Sequence, residues 1–229
     1  MLKPKRRISK KELKQDDLLE FLYKAERFIR QHKKLLSYTL LGIVVIVAMG
    51  LMMYNSRQNA EMQAAAALGS AQTLYDQGQY QQVIDELEPV IADYRGTRSA
   101  GVGVFYIASA YDRQGNESEA QKYYRQYLDR YDNDPLLSAS TLASLGAIHA
   151  EQGNHTEALD LYRKALRRAP HKFLAQQFTL AAAEVAFNSG RTSNAQSMLT
   201  ALLENDDLTT DIRTEARELL AMIEVGTAQ

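Results

Sequence analysis

Residues 145–170 read LGAIHAEQGNHTEALDLYRKALRRAP. A helical pattern ends at Gln152-Gly153-Asn154-His155, and a second one follows before Pro170. Gly153 can adopt the left-handed backbone that a short helix-to-helix turn requires. Five positions later Ala158 offers a small side chain, which lets the second helix lie close to the first. The same phrase recurs at Gln77-Gly78-Gln79-Tyr80, Gln114-Gly115-Asn116-Glu117 and Ser189-Gly190-Arg191-Thr192. The four glycines are 37, 38 and 37 residues apart, and Val83, Ala120 and Ala195 stand where Ala158 does. Self-similarity at this period predicts stacked helix pairs, an all-α solenoid.

These residues resemble the tetratricopeptide repeat (TPR) family. The third unit matches best, with Leu145-Gly146 in its first helix, Gly153-Asn154 at the turn, then Ala158, Tyr162, Ala165, Leu166 and Pro170. The second supplies Tyr111, Gly115, Ala120, Tyr124 and Leu128. The first departs at Val83, and the fourth has Ala183 where the family prefers Gly. A period longer than about 34 residues implies longer loops between repeats, as over 130–135. The resemblance covers residues 64–207 as four units. Beyond it, 208–229 holds DIRTEARELLAMIEV (211–225), expected as an amphipathic helix that caps the open end of the stack.

The resemblance also implies a concave face lined by first helices. Unit one would present Leu68, Gln72, Tyr75 and Asp76; unit two Val102, Phe105, Ser109, Asp112 and Arg113. Unit three would present Ser140, Ala143, Ala147 and Glu151; unit four Gln177, Leu180, Glu184, Phe187 and Asn188. This mixture suits an extended or helical protein segment. With Arg113 alone as a nearby cation, the Lys/Asn clamp by which some members hold a C-terminal carboxylate is not expected. Among the clustered tyrosines Tyr106, Tyr111, Tyr123, Tyr124, Tyr127 and Tyr131, the family register makes Tyr111 and Tyr124 core positions.

Residues 35–54, LLSYTLLGIVVIVAMGLMMY, form the second decisive stretch. Twenty helical residues span roughly 30 Å, the thickness of a hydrocarbon core. Tyr38 and Tyr54 stand where interfacial rings belong. The run exceeds a signal-peptide core and follows 34 residues of chain, which argues against cleavage. Residues 1–54 carry 12 Lys/Arg against 5 Asp/Glu, and 55–229 carry 15 against 23, so +7 precedes −8. By the positive-inside rule the N-terminus is cytoplasmic and the repeats face outward, into the periplasm of a two-membrane bacterium. The basic arm 1–34 contains an amphipathic helix over 16–34, suited to docking on lipid or on a membrane partner. The run Lys3 to Lys14 could mimic a nucleic-acid patch, but beside a span it reads as an orientation signal. Residues 55–63 are expected as a linker.

Catalysis has little support. The chain has no Cys, four His and neither an HExxH motif, a Gly-rich phosphate loop nor a nucleophile elbow. The expectation is a non-enzyme without metal, cofactor, small-molecule substrate or nucleic-acid partner. The layout of basic arm, Lys33-Lys34-Leu35-Leu36, span and acidic outer repeats resembles the YfgM-like family of single-span bacterial inner-membrane proteins. That implies an ancillary partner of the Sec translocon, working with periplasmic chaperones on newly exported, unfolded clients. The alternative is an assembly scaffold for an envelope or electron-transfer complex, such as cytochrome c maturation.

Overall fold

The computed structural model describes residues 10–227, with side chains from Glu20 to Val225. The start of the expected basic run, residues 1–9, lies outside the described residues. Nine helices and no strand occur among the described residues: α1 (Lys10–Asp76), α2 (Tyr80–Asp93), α3 (Arg98–Arg113), α4 (Glu117–Arg130), α5 (Pro135–Glu151), α6 (His155–Arg168), α7 (Lys172–Asn188), α8 (Thr192–Leu203) and α9 (Thr210–Thr227). They divide into two units, residues 1–57 and 58–229.

In the second unit each repeated phrase is a helix-to-helix turn. Gly78, Gly115, Gly153 and Gly190 have φ of 74°, 73°, 77° and 75°. The amide after each glycine donates to a carbonyl five residues earlier, at 2.9, 2.9, 2.8 and 2.8 Å. That bond closes the first helix of each pair and fixes the angle at which the second leaves. Val83, Ala120, Ala158 and Ala195 are all 0 % exposed at the resulting helix crossings. Thr97, Asn116 and Asp134 cap α3, α4 and α5 through their side chains, the last with Pro135 in the first turn.

Consecutive pairs are stitched by side chains about one repeat apart. Gln152 donates to Glu117 at 2.7 Å and Arg191 to Thr156 at 2.6 Å, each reaching from one turn back to the preceding one. On the second helices Tyr123 donates to Glu88 at 2.9 Å, and Arg168 of α6 pairs with Asp132 in the α4–α5 loop. α9 buries Ile212, Ala216, Leu219 and Ile223 and packs on α7 and α8.

Residues 55–63 correct the expectation of a linker, because they are helical and lie inside α1. NSRQNAEMQ contains no Gly or Pro, and Ala, Glu, Met and Gln favour helix. Glu61 accepts from the amides of Arg98 (2.8 Å) and Ser99 (3.1 Å) and from Ser99 Oγ (2.6 Å), satisfying donors at the start of α3. Tyr94 donates its hydroxyl hydrogen to Gln63 at 2.5 Å. The repeat unit therefore begins a few residues before 64.

In the first unit, α1 is long and apolar enough to cross a membrane by length and composition. Every side chain from 35 to 54 is exposed, so no part of the described fold covers this run. His32 breaks the helical backbone at φ −111°, ψ 18°.

Close helix approach gives a stability prediction. A Cβ on Gly101 would meet Tyr131 Cδ1 at 2.8 Å, whereas one on Gly69 meets nothing within 4 Å. Gly101→Ala is expected to lower the unfolding free energy by about 1–3 kcal/mol. Gly69→Ala is expected to be neutral or stabilising by up to about 1 kcal/mol. Urea denaturation of the two variants checks this.

Candidate binding face

The first helix of each pair, the end of α1 followed by α3, α5 and α7, supplies the face on which the expected residues fall. Gln72, Tyr75, Phe105, Ser109, Asp112, Ala147 and Phe187 are half-buried there, while Arg113, Glu151 and Glu184 are exposed. Leu68 and Leu180 are not available on it. They are 9 % and 6 % exposed and belong to the cores beneath, because their helix faces turn toward the second helices.

Aromatic rings build the α1–α3 end. Tyr75 meets Tyr106 edge-on at 5.4 Å and Tyr80 at 5.3 Å. Phe105 packs on Tyr106, Tyr124 and Tyr127 at 6.1, 6.0 and 6.3 Å. Such edge and tilted arrangements set positive ring edges toward negative ring faces. The Arg113 guanidinium turns to the Tyr75 hydroxyl. Tyr106 was not among the residues expected on this face, although it is Phe105's sequence neighbour.

The buried Tyr124 of α4 supports this floor from below. Its hydroxyl lies 3.2 Å from Ser109 Oγ and also faces Ser144 and Asp112. Burial pushes this phenol up to about 12. Tyr111, expected in the core, is half-buried instead and stacks on Tyr123 at 5.6 Å. Lys122 lies 5.3 Å over the Tyr123 ring, so these side chains are occupied with one another.

Carboxylates continue the face. Burial, and next the charge of Glu151, holds the Asp112 carboxyl above its ordinary value, partly offset by Arg113. Burial and then Glu215 do the same to Glu184. Tyr162, pushed up to about 12 by burial, feels Glu184 and Glu151 together. Asp112, Glu151, Glu184 and Glu215 thus form a chain of electrostatic neighbours across α3, α5, α7 and α9. None of the four forms an ion pair among the described residues. Glu215 lies beyond the four units expected over 64–207, so their register could not have pointed to it.

His149 occupies a core position of α5, 8 % exposed, with Nδ1 4.0 Å from Glu157 Oε2. No group of three or more His, Cys, Asp or Glu side chains among the described residues could hold a metal ion.

Residues 68–135 and 105–172 match one tetratricopeptide repeat family model, and residues 149–223 match a second. No curated protein matches the chain. Among solved structures, a tetratricopeptide repeat protein from Parabacteroides merdae is similar, at 14 % identity and a TM-score of 0.58. The match covers 72 % of this chain and 61 % of that one, so this chain spans under two thirds of its neighbour's length. BtubC from P. vanneervenii is similar at 12 % identity and a TM-score of 0.59, covering 75 % of this chain and 84 % of that one. At these identities the likeness is one of fold.

The raised Asp112 carboxyl has a consequence for stability. The folded chain holds this proton more tightly than the unfolded chain does, so ionising Asp112 as pH rises opposes folding. Asp112→Asn keeps an acceptor for Tyr124 and removes the charge. The variant is expected to be more stable than the parent at pH 7, with the gap closing below the ordinary Asp value of 3.8. Urea midpoints at the two pH values measure it.

Proposed function

The chain belongs to the tetratricopeptide repeat family through residues 68–223, and we propose that it is a protein-binding module anchored in a membrane. TPR folds work through protein–protein contacts. The occupant best suited to this face is an extended or helical segment carrying Lys or Arg among apolar residues. The observation that carries this reading is the run of Asp112, Glu151, Glu184 and Glu215, without ion pairs, beside half-buried Tyr75, Tyr106, Phe105 and Phe187. The rings offer apolar contact at low entropic cost, and the carboxylates favour cationic partners and repel acidic ones.

The anchor is residues 35–54. Sixteen exposed apolar or aromatic side chains in this run are costly in water, at about 25 cal/mol per Å² of apolar surface, and a bilayer core is the matching solvent. The charge change from +7 to −8 across this run favours a cytoplasmic arm and outward repeats. In a two-membrane bacterium the repeats then stand in the periplasm. That placement supports a role beside the Sec translocon, receiving newly exported chains together with periplasmic chaperones. Unfolded clients expose the mixture of basic and apolar residues that the face suits.

Photo-crosslinking from position 187 in intact membranes tests the proposal. The expected products are many nascent envelope proteins together with translocon subunits. Joint Glu151→Lys and Glu184→Lys is expected to lower client capture on the order of tenfold, and Asp129→Lys on α4 to leave it unchanged. One stoichiometric complex in place of many clients would replace this reading with that of an assembly scaffold.

A further inference from the structure

Ahead of the apolar run, α1 carries a second surface that the binding face does not use. At about 100° per residue, Phe21, Leu22, Ala25, Phe28 and Ile29 fall within an arc of roughly 120°. Phe21, Leu22, Phe28 and Ile29 are 69 %, 53 %, 55 % and 55 % exposed, so no other described part of the chain covers this arc. No charged side chain from 20 to 31 falls inside it. The opposite side holds Glu20–Lys24 and Glu26–Arg30 pairs at 2.7 Å, one helical turn apart. Arg27, Lys33 and Lys34 form no ion pair among the described residues. Over 20–34, five Lys/Arg against two Glu leave a net charge of +3.

The backbone breaks between this segment and the apolar run. His32 leaves helical geometry, its ring stacked on Phe28 at 4.5 Å and its Nδ1 3.1 Å from the Phe28 carbonyl oxygen. Lys33 and Lys34 follow, and then Leu35. A break at the junction of charged and apolar sequence falls at the depth of the lipid headgroups, if 35–54 spans the bilayer.

We infer that residues 20–31 lie along an anionic lipid surface, with Phe21, Leu22, Phe28 and Ile29 toward the acyl chains and the lysines and arginines among the headgroups. The inference rests on reading 35–54 as a membrane span. Two features argue for lipid as the occupant: the +3 charge complements anionic headgroups, and the surface is continuous with the span itself. Leaving the phenylalanines in water would gain nothing, since no part of the described fold covers them.

The chain contains no Cys, so single introduced cysteines report without background. Full-length chains bearing Ala25→Cys, Arg27→Cys or Val45→Cys are labelled with an environment-sensitive fluorophore. Each is reconstituted in vesicles of phosphatidylcholine, with or without phosphatidylglycerol. With phosphatidylglycerol present, position 25 is expected to be at least about threefold less accessible to an aqueous quencher than position 27. The difference is expected to shrink in phosphatidylcholine alone. Equal access at 25 and 27 with position 45 shielded overturns the inference and leaves the span standing. Exposure at position 45 overturns both. Shielding at 25 that ignores lipid charge and grows with protein concentration would place a second copy on this face, and also overturns it.

Discussion

The repeat unit depends on one backbone event, the left-handed glycine that closes each first helix. A residue with a Cβ pays steric energy in that conformation, and glycine does not. Once the glycine is left-handed, the following amide reaches the carbonyl five residues back, and the chain re-enters a helix at a set angle. Two helices leaving such a turn cross closely, and the side chain at their crossing is fully buried. Ala120, Ala158 and Ala195 supply a small side chain there, and the first pair buries the larger Val83.

Stacking follows from the same regularity. Because the pairs recur at a similar spacing, side chains on one pair bond to the preceding pair about one repeat back. Gln152 with Glu117 and Arg191 with Thr156 join neighbouring turns, and Tyr123 with Glu88 joins neighbouring second helices. Exposed polar bonds of this kind contribute little stability one by one. Their part is registration, holding each pair where the buried Tyr124, Tyr127 and Ile148 already place it. Glu61 extends this upstream, since its carboxylate satisfies the start of α3 and ties α1 into the stack.

The face on the first helices has different physics from the core beneath it. Core positions are settled by volume, whereas Asp112, Glu151 and Glu184 keep like charges near one another without ion pairs between them and a base. Burial first, and the charges of Glu151 and Glu215 second, hold the Asp112 and Glu184 carboxyls above their ordinary values. The rings of Tyr75, Tyr106 and Phe105 add an apolar end to the same surface.

The sequence by itself determined the turns, the small residues beside them and the apolar run of 35–54. Each depends on local rules: a backbone conformation that glycine tolerates, a period, or a length of apolar chain. Tertiary structure decided what local rules do not carry. Leu68 and Leu180 share the spacing of the face residues, yet packing against the second helices draws them into the core. Residues 55–63 look polar enough for a linker until Glu61 and Gln63 find partners more than 30 residues away. Tyr111 stays half-buried because its ring finds Tyr123, and Glu215 joins the acidic row only because α9 packs on α7. In all of these cases the deciding neighbour is distant in sequence, so its identity becomes visible only when the helices are stacked.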